Sequence, residues 1–307
     1  MSEVAPYVDP DVFQQERREI FATAWQVVSD VAALHRPGDY VCANLAGFAA
    51  LVICDDKGTL QAFQNVCRHQ RLPILDNGVG HCDVNVRCRY HGWTYDFAGT
   101  CIHAPDAVRP DDFGTTDYRL DTVALTKWRG LAVVNFDADP PPHAIAFAAI
   151  DAQLEGYASK PRFLARDVVP VFANWKAIVD EIVAGDERPL PSGQSEQQSG
   201  TLVRKADGEL WVWRAPTLGL HATPQTLLVL QVVPRTFLKS EIHWWLLGLE
   251  ATPEAAAEEA SRRATAGAEG VKRLAEQRQA TIKTAETLPA LSDQVAAATL
   301  RSSRHAV

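Results

Sequence analysis

The period of hydrophobic positions changes along the chain. Residues 9–25, "DPDVFQQERREIFATAW", set Phe13, Ile20, Phe21 and Trp25 at near-helical spacing, which predicts an amphipathic helix packed on the adjoining segment. From Trp25 to about Phe136 the pattern shortens to β-branched or alternating runs, "DYVCANL", "AALVICDD" and "LAVVNF", parted by "PGD", "DKG", "NG" and "AG". Such runs between turn residues predict a small antiparallel β domain. "DADPPPH" at 137–143 reads as the linker out of it, because consecutive prolines continue neither a ladder nor a helix. Beyond it the pattern gives a helix near 144–158, a strand near 166–172 and a helix from about Trp175. The stretch 187–200, "ERPLPSGQSEQQSG", is polar and reads as mobile. Strands come next at 201–214 and 225–250, and an Ala/Glu/Arg-rich helix at about 253–286. Alternation in "EIHWWLL" predicts that only one of Trp244 and Trp245 is core, with His243 a satisfied core histidine. The tail after Leu288 is expected to fray, and no internal repeat is evident.

The fold class is therefore α+β, an antiparallel β domain followed by an antiparallel sheet with helices. The expected division is 1–40 for the helix and lead-in strand, 41–140 for the β domain, 141–290 for the α+β domain and 291–307 for a tail. Composition supports packed cores, with 47% hydrophobic and 22% charged residues in 307. A net charge of -8 argues against general affinity for nucleic acid or an anionic membrane, and suits basic protein partners. No run reaches the roughly 18–20 apolar residues of a membrane span, and the start lacks an export signal, so the expected location is the cytoplasm.

Six cysteines are too few for a disulfide scaffold in a chain this long. Two stretches pair a cysteine with a histidine: "CRH" at 67–69 and "CRYH" at 88–91. A structural zinc site more often pairs cysteine with cysteine and histidine with histidine. One thiolate and one imidazole from each of two loops is instead the ligand pattern of a mixed-ligand two-iron cluster. Cys101 and His103 form a third Cys-x-His, and spacing alone leaves that pairing open.

"FQNVCRHQRLPILDNGVG" and "CRYHGWTYDFAGTCIHAPD" resemble the two cluster loops of Rieske ring-hydroxylating oxygenase α-subunits, and the likeness runs from about Asp9 to Asp106. The resemblance implies a Rieske [2Fe–2S] cluster held by Cys67, His69, Cys88 and His91, and leaves Cys101 and His103 outside. Respiratory Rieske proteins join an extra cysteine of each loop as a disulfide; Leu72 and Tyr90 stand in those places here. Trp93 and Tyr95 are expected to cover the cluster.

In that family the electron passes to a mononuclear iron held by two histidines and a carboxylate. The segment that carries the histidines begins near "NWK", which is Asn174–Lys176 here. In this register Glu187 and Ser192 stand in the histidine places, Ala184 in that of the acid bridging the two metal sites, and Gln277 in that of the third ligand; no histidine lies between His143 and His221. The expectation is a degenerate site with no mononuclear iron. Asp180, Glu181, Asp186 and Glu187 read as a solvated acidic stretch, although they and His221 or His243 are the candidates for an unusual metal site.

The function expected from these substitutions is a non-catalytic Rieske subunit, an electron-transfer or structural partner of a catalytic Rieske oxygenase α subunit. The alternative is a terminal oxygenase of hydroxylase or demethylase type with non-standard iron ligands, acting on a small organic substrate. Expected partners are the catalytic subunit and an NAD(P)H-dependent reductase or ferredoxin, in a trimer or mixed hexamer.

Overall fold

The computed structural model describes residues 5–114, 117–157, 161–184, 194–198, 201–206, 208–248 and 252–284. The chain forms two compact units, Ala22–Pro140 and a second made of Met1–Phe21 with Pro141–Val307. This moves the expected boundary at 40/41 to 21/22 and assigns the first segment to the second unit rather than to the β domain. The exit lies in the proline run, as its backbone chemistry predicts.

In the β unit, β2 (Asp39–Leu45), β3 (Phe48–Cys54), β4 (Leu60–Gln64) and β5 (Gly78–His81) form an antiparallel sheet in the order β4-β3-β2-β5. β6 (Val86–Arg87), β7 (Thr94–Tyr95) and β8 (Cys101–His103) form a second sheet. β1 (Gln26–Asp30), β10 (Leu131–Asn135) and β9 (Ala124–Trp128) form a third, in which entering and leaving strands pair side by side, Gln26 opposite Val134. One core cluster runs from Leu51, Ile53 and Phe63 through Ile74 and Val86 to Trp93, Tyr95 and Phe97. Gly38 (φ +86) marks the tight turn into β2, where a Cβ would stand 2.0 Å from the Cys82 carbonyl oxygen. Only glycine fits there.

In the second unit α1 (Ala5–Val8) and α2 (Pro10–Glu16) open the chain, and a π-helical turn at Arg17–Phe21 ends the helix short of the expected Trp25. The β-branched "QVVS" then pairs with β10 instead of continuing the helix. Asp9 caps α2, accepting from the Asp11 N–H at 2.8 Å. α3 (His143–Gln153), β11 (Arg162–Val171) and α4 (Trp175–Ala184) come after the β unit, then β12 (Gln194–Gln198), β13 (Thr201–Ala206), β14 (Glu209–Arg214), β15 (Leu218–Ala222), β16 (Thr226–Thr236), β17 (Lys239–Gly248) and α5 (Glu254–Thr284). Among the described residues these strands make one antiparallel sheet, ordered β11-β17-β16-β15-β14-β13-β12. The run expected to be mobile at 187–200 thus includes a strand, β12; its remaining residues lie outside the described ones, as does the tail after Leu288.

Trp244 and Trp245 are both buried, at 2% and 3% exposure, against the expectation that only one would be. Burial is unbroken from Trp244 to Gly248, so both faces of this strand end are covered and alternation no longer separates core from surface. His243 is only half-buried and bonds Glu241 at 2.8 Å, so it is satisfied but not a core residue. No helix of the described residues is long and apolar enough to cross a membrane.

A buried polar network ties α1 and α2 to α4. Glu16 accepts from Trp175 Nε1 at 2.9 Å and pairs with Lys176. Tyr7 donates to Asp180 at 2.8 Å, and Arg278 of α5 lies 3.4 Å from the same carboxylate. Burial pulls the Lys176 ammonium down and pushes the Asp180 carboxyl up, each against its partners.

Candidate functional site

Two loops of the β unit share one backbone design. In each, the N–H four residues after the cysteine bonds back to the cysteine carbonyl: Arg71 to Cys67 at 3.0 Å, and Gly92 to Cys88 at 3.0 Å. In each, the cysteine N–H bonds the carbonyl five residues on: Cys67 to Leu72 and Cys88 to Trp93, both at 2.8 Å. The turn residue has positive φ in both, +59° at Arg71 and +71° at Gly92. Glycine takes that conformation freely, whereas arginine adopts it at a cost. The first loop is braced behind by Asn65, whose carboxamide accepts from the Ile74 and Leu75 N–H groups and donates to the Leu75 carbonyl.

This frame brings the four sequence-predicted residues together. Cys67 and Cys88 are both 2% exposed, at the edge of the core. The His69 and His91 rings meet edge to face with centroids 4.7 Å apart. Trp93 stacks flat on His69 at 5.3 Å, and Tyr95 sets its hydroxyl 3.2 Å from Cys67 Sγ while accepting the Arg68 N–H at 3.0 Å. Both aromatics therefore cover the site as expected. Burial pushes the Cys67 thiol up, and burial with His91 holds the His69 imidazole down. His69 Nδ1 is buried without a hydrogen-bond partner. Two buried thiols, two facing imidazoles and an orphaned ring nitrogen fit the donor set of a two-iron, two-sulfide cluster. Cys101 stands apart, its Sγ turned to the His103 carbonyl at 3.6 Å. Leu72 contributes its carbonyl to the loop, and Tyr90 is 45% exposed.

The second unit has a cavity of about 1130 Å³ between the sheet and α5, lined among others by Glu181, Glu209, Trp211, His221 and Ala264. His221 stacks flat on Trp211 at 4.5 Å and shares a hydrogen bond with Glu209 at 2.8 Å; burial lowers its pKa, with Glu209 opposing. Of the expected mononuclear-site places, Glu187 and Ser192 lie outside the described residues, as does Asp186. Ala184 ends α4 and Gln277 is exposed on α5. Asp180 is committed to Tyr7 and Arg278, whereas Glu181 reaches the cavity wall and accepts from Arg278 at 3.2 Å. Among the described residues of the second unit no group of three His, Cys, Asp or Glu side chains converges on one point, and the places of Glu187 and Ser192 lie outside those residues. Sequence reasoning missed Gln279, which is buried and accepts the Asn174 N–H at 2.8 Å; a polar residue on the apolar face of α5 was the available signal.

Comparison with known proteins agrees with this geometry. Residues 24–124 match the family model of the Rieske [2Fe-2S] domain. The chain is 30% identical over 175 residues to the glycine betaine monooxygenase oxygenase subunit of Chromohalobacter salexigens, covering 57% of this chain and 39% of that protein. It is 28% identical over 184 residues to the carnitine monooxygenase oxygenase subunit of Escherichia coli, covering 57% and 47%. Each match thus spans less than half of the relative's length. Its fold superimposes with a TM-score of 0.80 on a quaternary ammonium Rieske monooxygenase, at 19% identity over 92% of this chain and 85% of that one. Against a naphthalene 1,2-dioxygenase the TM-score is 0.73 at 17% identity, over 89% and 79%. The β unit carries a Rieske domain. The chain as a whole has the fold of Rieske oxygenase α-subunits, an N-terminal Rieske domain followed by an oxygenase-like α+β domain.

Proposed function

We propose that this chain is the oxygenase-type subunit of a Rieske oxygenase system, acting on a small organic substrate taken into the cavity under α5. Cys67, Cys88, His69 and His91 would hold the [2Fe–2S] cluster, which supplies single electrons when bound. Tyr95 would hydrogen-bond the Cys67 sulfur, and Trp93 would fix the His69 ring and exclude water from it. An NAD(P)H-dependent reductase or ferredoxin would provide the electrons.

The observation that carries this reading is the cavity: a unit kept only for electron transfer or assembly has no need of a cleft of some 1130 Å³ walled by Trp211, His221 and small α5 residues. The expectation of a non-catalytic partner is not supported by the named relatives, which are oxygenase subunits. The alternative of a terminal oxygenase with non-standard iron ligands fits them better. His221, Glu181 and the acids of 186–187 are the candidates for those ligands.

Iron and labile sulfide counts on purified protein test it. The oxygenase reading expects about three irons and two sulfides per chain, one iron beyond the two of the cluster. About two irons, with no third taken up from added ferrous ion, would return the chain to a purely electron-transferring role.

A further inference from the structure

The floor of the cavity in the second unit is one face of the sheet, and cross-strand pairing decides which side chains meet on it. Trp211 of β14 stands opposite His221 of β15, His221 opposite Leu228 of β16, and Leu228 opposite Leu246 of β17. All four line the cavity, as does Leu230. One imidazole is thus set in a row of apolar side chains. Glu209, two residues before Trp211 and so on the same face, shares a hydrogen bond with His221 Nε2 at 2.8 Å, and the Trp211 ring lies against the imidazole with their planes 5° apart. His221 Nδ1 has no hydrogen-bond partner among the described residues, yet it is not sealed in the core: the side chain keeps 22% exposure, and the atom opens on the cavity. Thr223 and Thr226, on the same floor, satisfy each other at 3.0 Å. A carboxylate only accepts, so Nε2 carries the ring proton and Nδ1 keeps its lone pair. Burial lowers the His221 pKa against the pull of Glu209, and Arg263 lowers it further, which keeps the ring neutral at pH 7.

We propose that His221 is the polar anchor of this cavity and that its substrate is a largely apolar molecule carrying one hydroxyl or neutral N–H, which donates to Nδ1. The inference rests on the reading of the cavity as a substrate site, and it takes His221 out of the candidates for iron ligands. Glu209 is a positioning residue: it fixes the tautomer while Trp211 fixes the ring plane, so the lone pair has one direction. A neutral imidazole acceptor in apolar surroundings discriminates by the presence of a donor hydrogen. An alcohol, phenol or amide meets it. An ether of the same shape leaves Nδ1 unpaired and turns an oxygen lone pair toward a nitrogen lone pair. The apolar remainder of the substrate then lies along Leu228 and Leu246, beneath the small residues Ala260, Ala264 and Gly267 of α5.

The test is titration calorimetry on the oxidised holoprotein without reductant, so that nothing turns over. The probe 2-naphthol should bind about three- to tenfold more tightly than its methyl ether, 2-methoxynaphthalene, the difference one neutral hydrogen bond makes. In His221→Phe, which keeps a ring against Trp211, that preference should vanish while the iron count stays unchanged. Glu209→Gln places a donor beside Nε2 and releases the tautomer. The preference for 2-naphthol should then shrink, and 2-acetonaphthone, an acceptor only, should bind about twofold more tightly than to the unaltered protein. Equal affinity for 2-naphthol and its ether in the unaltered protein overturns the proposal, as does a preference that outlives His221→Phe. Loss of iron from His221→Phe overturns it too, by making His221 a ligand, and a Glu209→Gln protein that binds all three probes alike more weakly reduces Glu209 to a structural part. If neither 2-naphthol nor its ether binds, the proposal falls together with the substrate-site reading beneath it, whereas equal binding of both removes the anchor and leaves that reading standing.

Discussion

Replacing Tyr95 by phenylalanine removes one oxygen with two roles. Its hydroxyl lies 3.2 Å from Cys67 Sγ and accepts the Arg68 N–H at 3.0 Å, while the ring is fully buried and would stay in place. A hydrogen bond to a charged acceptor contributes about 1.5–3 kcal/mol. A cluster held by Cys67, as proposed, would gain one negative charge on reduction, so the bond would favour the reduced form. If a third to a half of its strength responds to that charge, the loss is about 0.5–1.5 kcal/mol. At 59 mV per tenfold, or 1.4 kcal/mol, that lowers the one-electron potential by about 20–65 mV. The part-buried Arg68 N–H also loses its acceptor, at roughly 1 kcal/mol of stability, since water can partly replace it. Spectroelectrochemical titration of the holoprotein reads the first effect and urea unfolding the second. An unchanged or raised potential, with the spectrum intact, would refute the reasoning about Tyr95 and Cys67.

Charge placement sets two further outcomes. Glu16→Gln leaves the Lys176 ammonium, 9% exposed, without its anion and should cost about 3–5 kcal/mol, read by urea unfolding; a loss under 1 kcal/mol would mean that water already reaches the pair. At Asp39, burial works to raise the pKa, but the Arg36 N–H, His81 and the Arg36 charge outweigh it and hold the carboxyl at about 2 against an ordinary 3.8. The stability this contributes is present above pH 3.8 and is lost as pH falls toward 2, so Asp39→Asn should flatten the acid limb of stability against pH in that window; an unchanged limb would assign it to other acids.

The two loops proposed to hold the cluster were legible because local geometry encodes them. Cysteine and histidine spacing survives as two loops of matching backbone hydrogen bonds, and turn residues fix where they end. The sheet order of the second unit was not legible, since strands such as β11 and β17 pair across long separations that no local pattern records. The paired burial of Trp244 and Trp245 escaped for a related reason: alternation reports one covered face, and here both are covered. The attachment of residues 5–21 to the second unit depends on Glu16 finding Trp175 and Lys176, a meeting that helical periodicity cannot specify. Gln277 was singled out on a sliding helical register, whereas the buried carboxamide of α5 is Gln279.

The Rieske unit is continuous in sequence, whereas the other unit is split, its first helices parted from α4 along the chain by the whole of residues 22–140. During synthesis these differ in kind. The β unit can close as soon as β10 emerges to pair with β1. The opening helices must then wait, with Tyr7 and Glu16 uncovered, until Trp175–Asp180 has left the ribosome. The polypeptide thus assembles from the middle outward, and a nascent chain that has emerged past residue 140 but not yet past residue 175 would display a closed β unit carrying amphipathic opening helices with nothing yet to bury them.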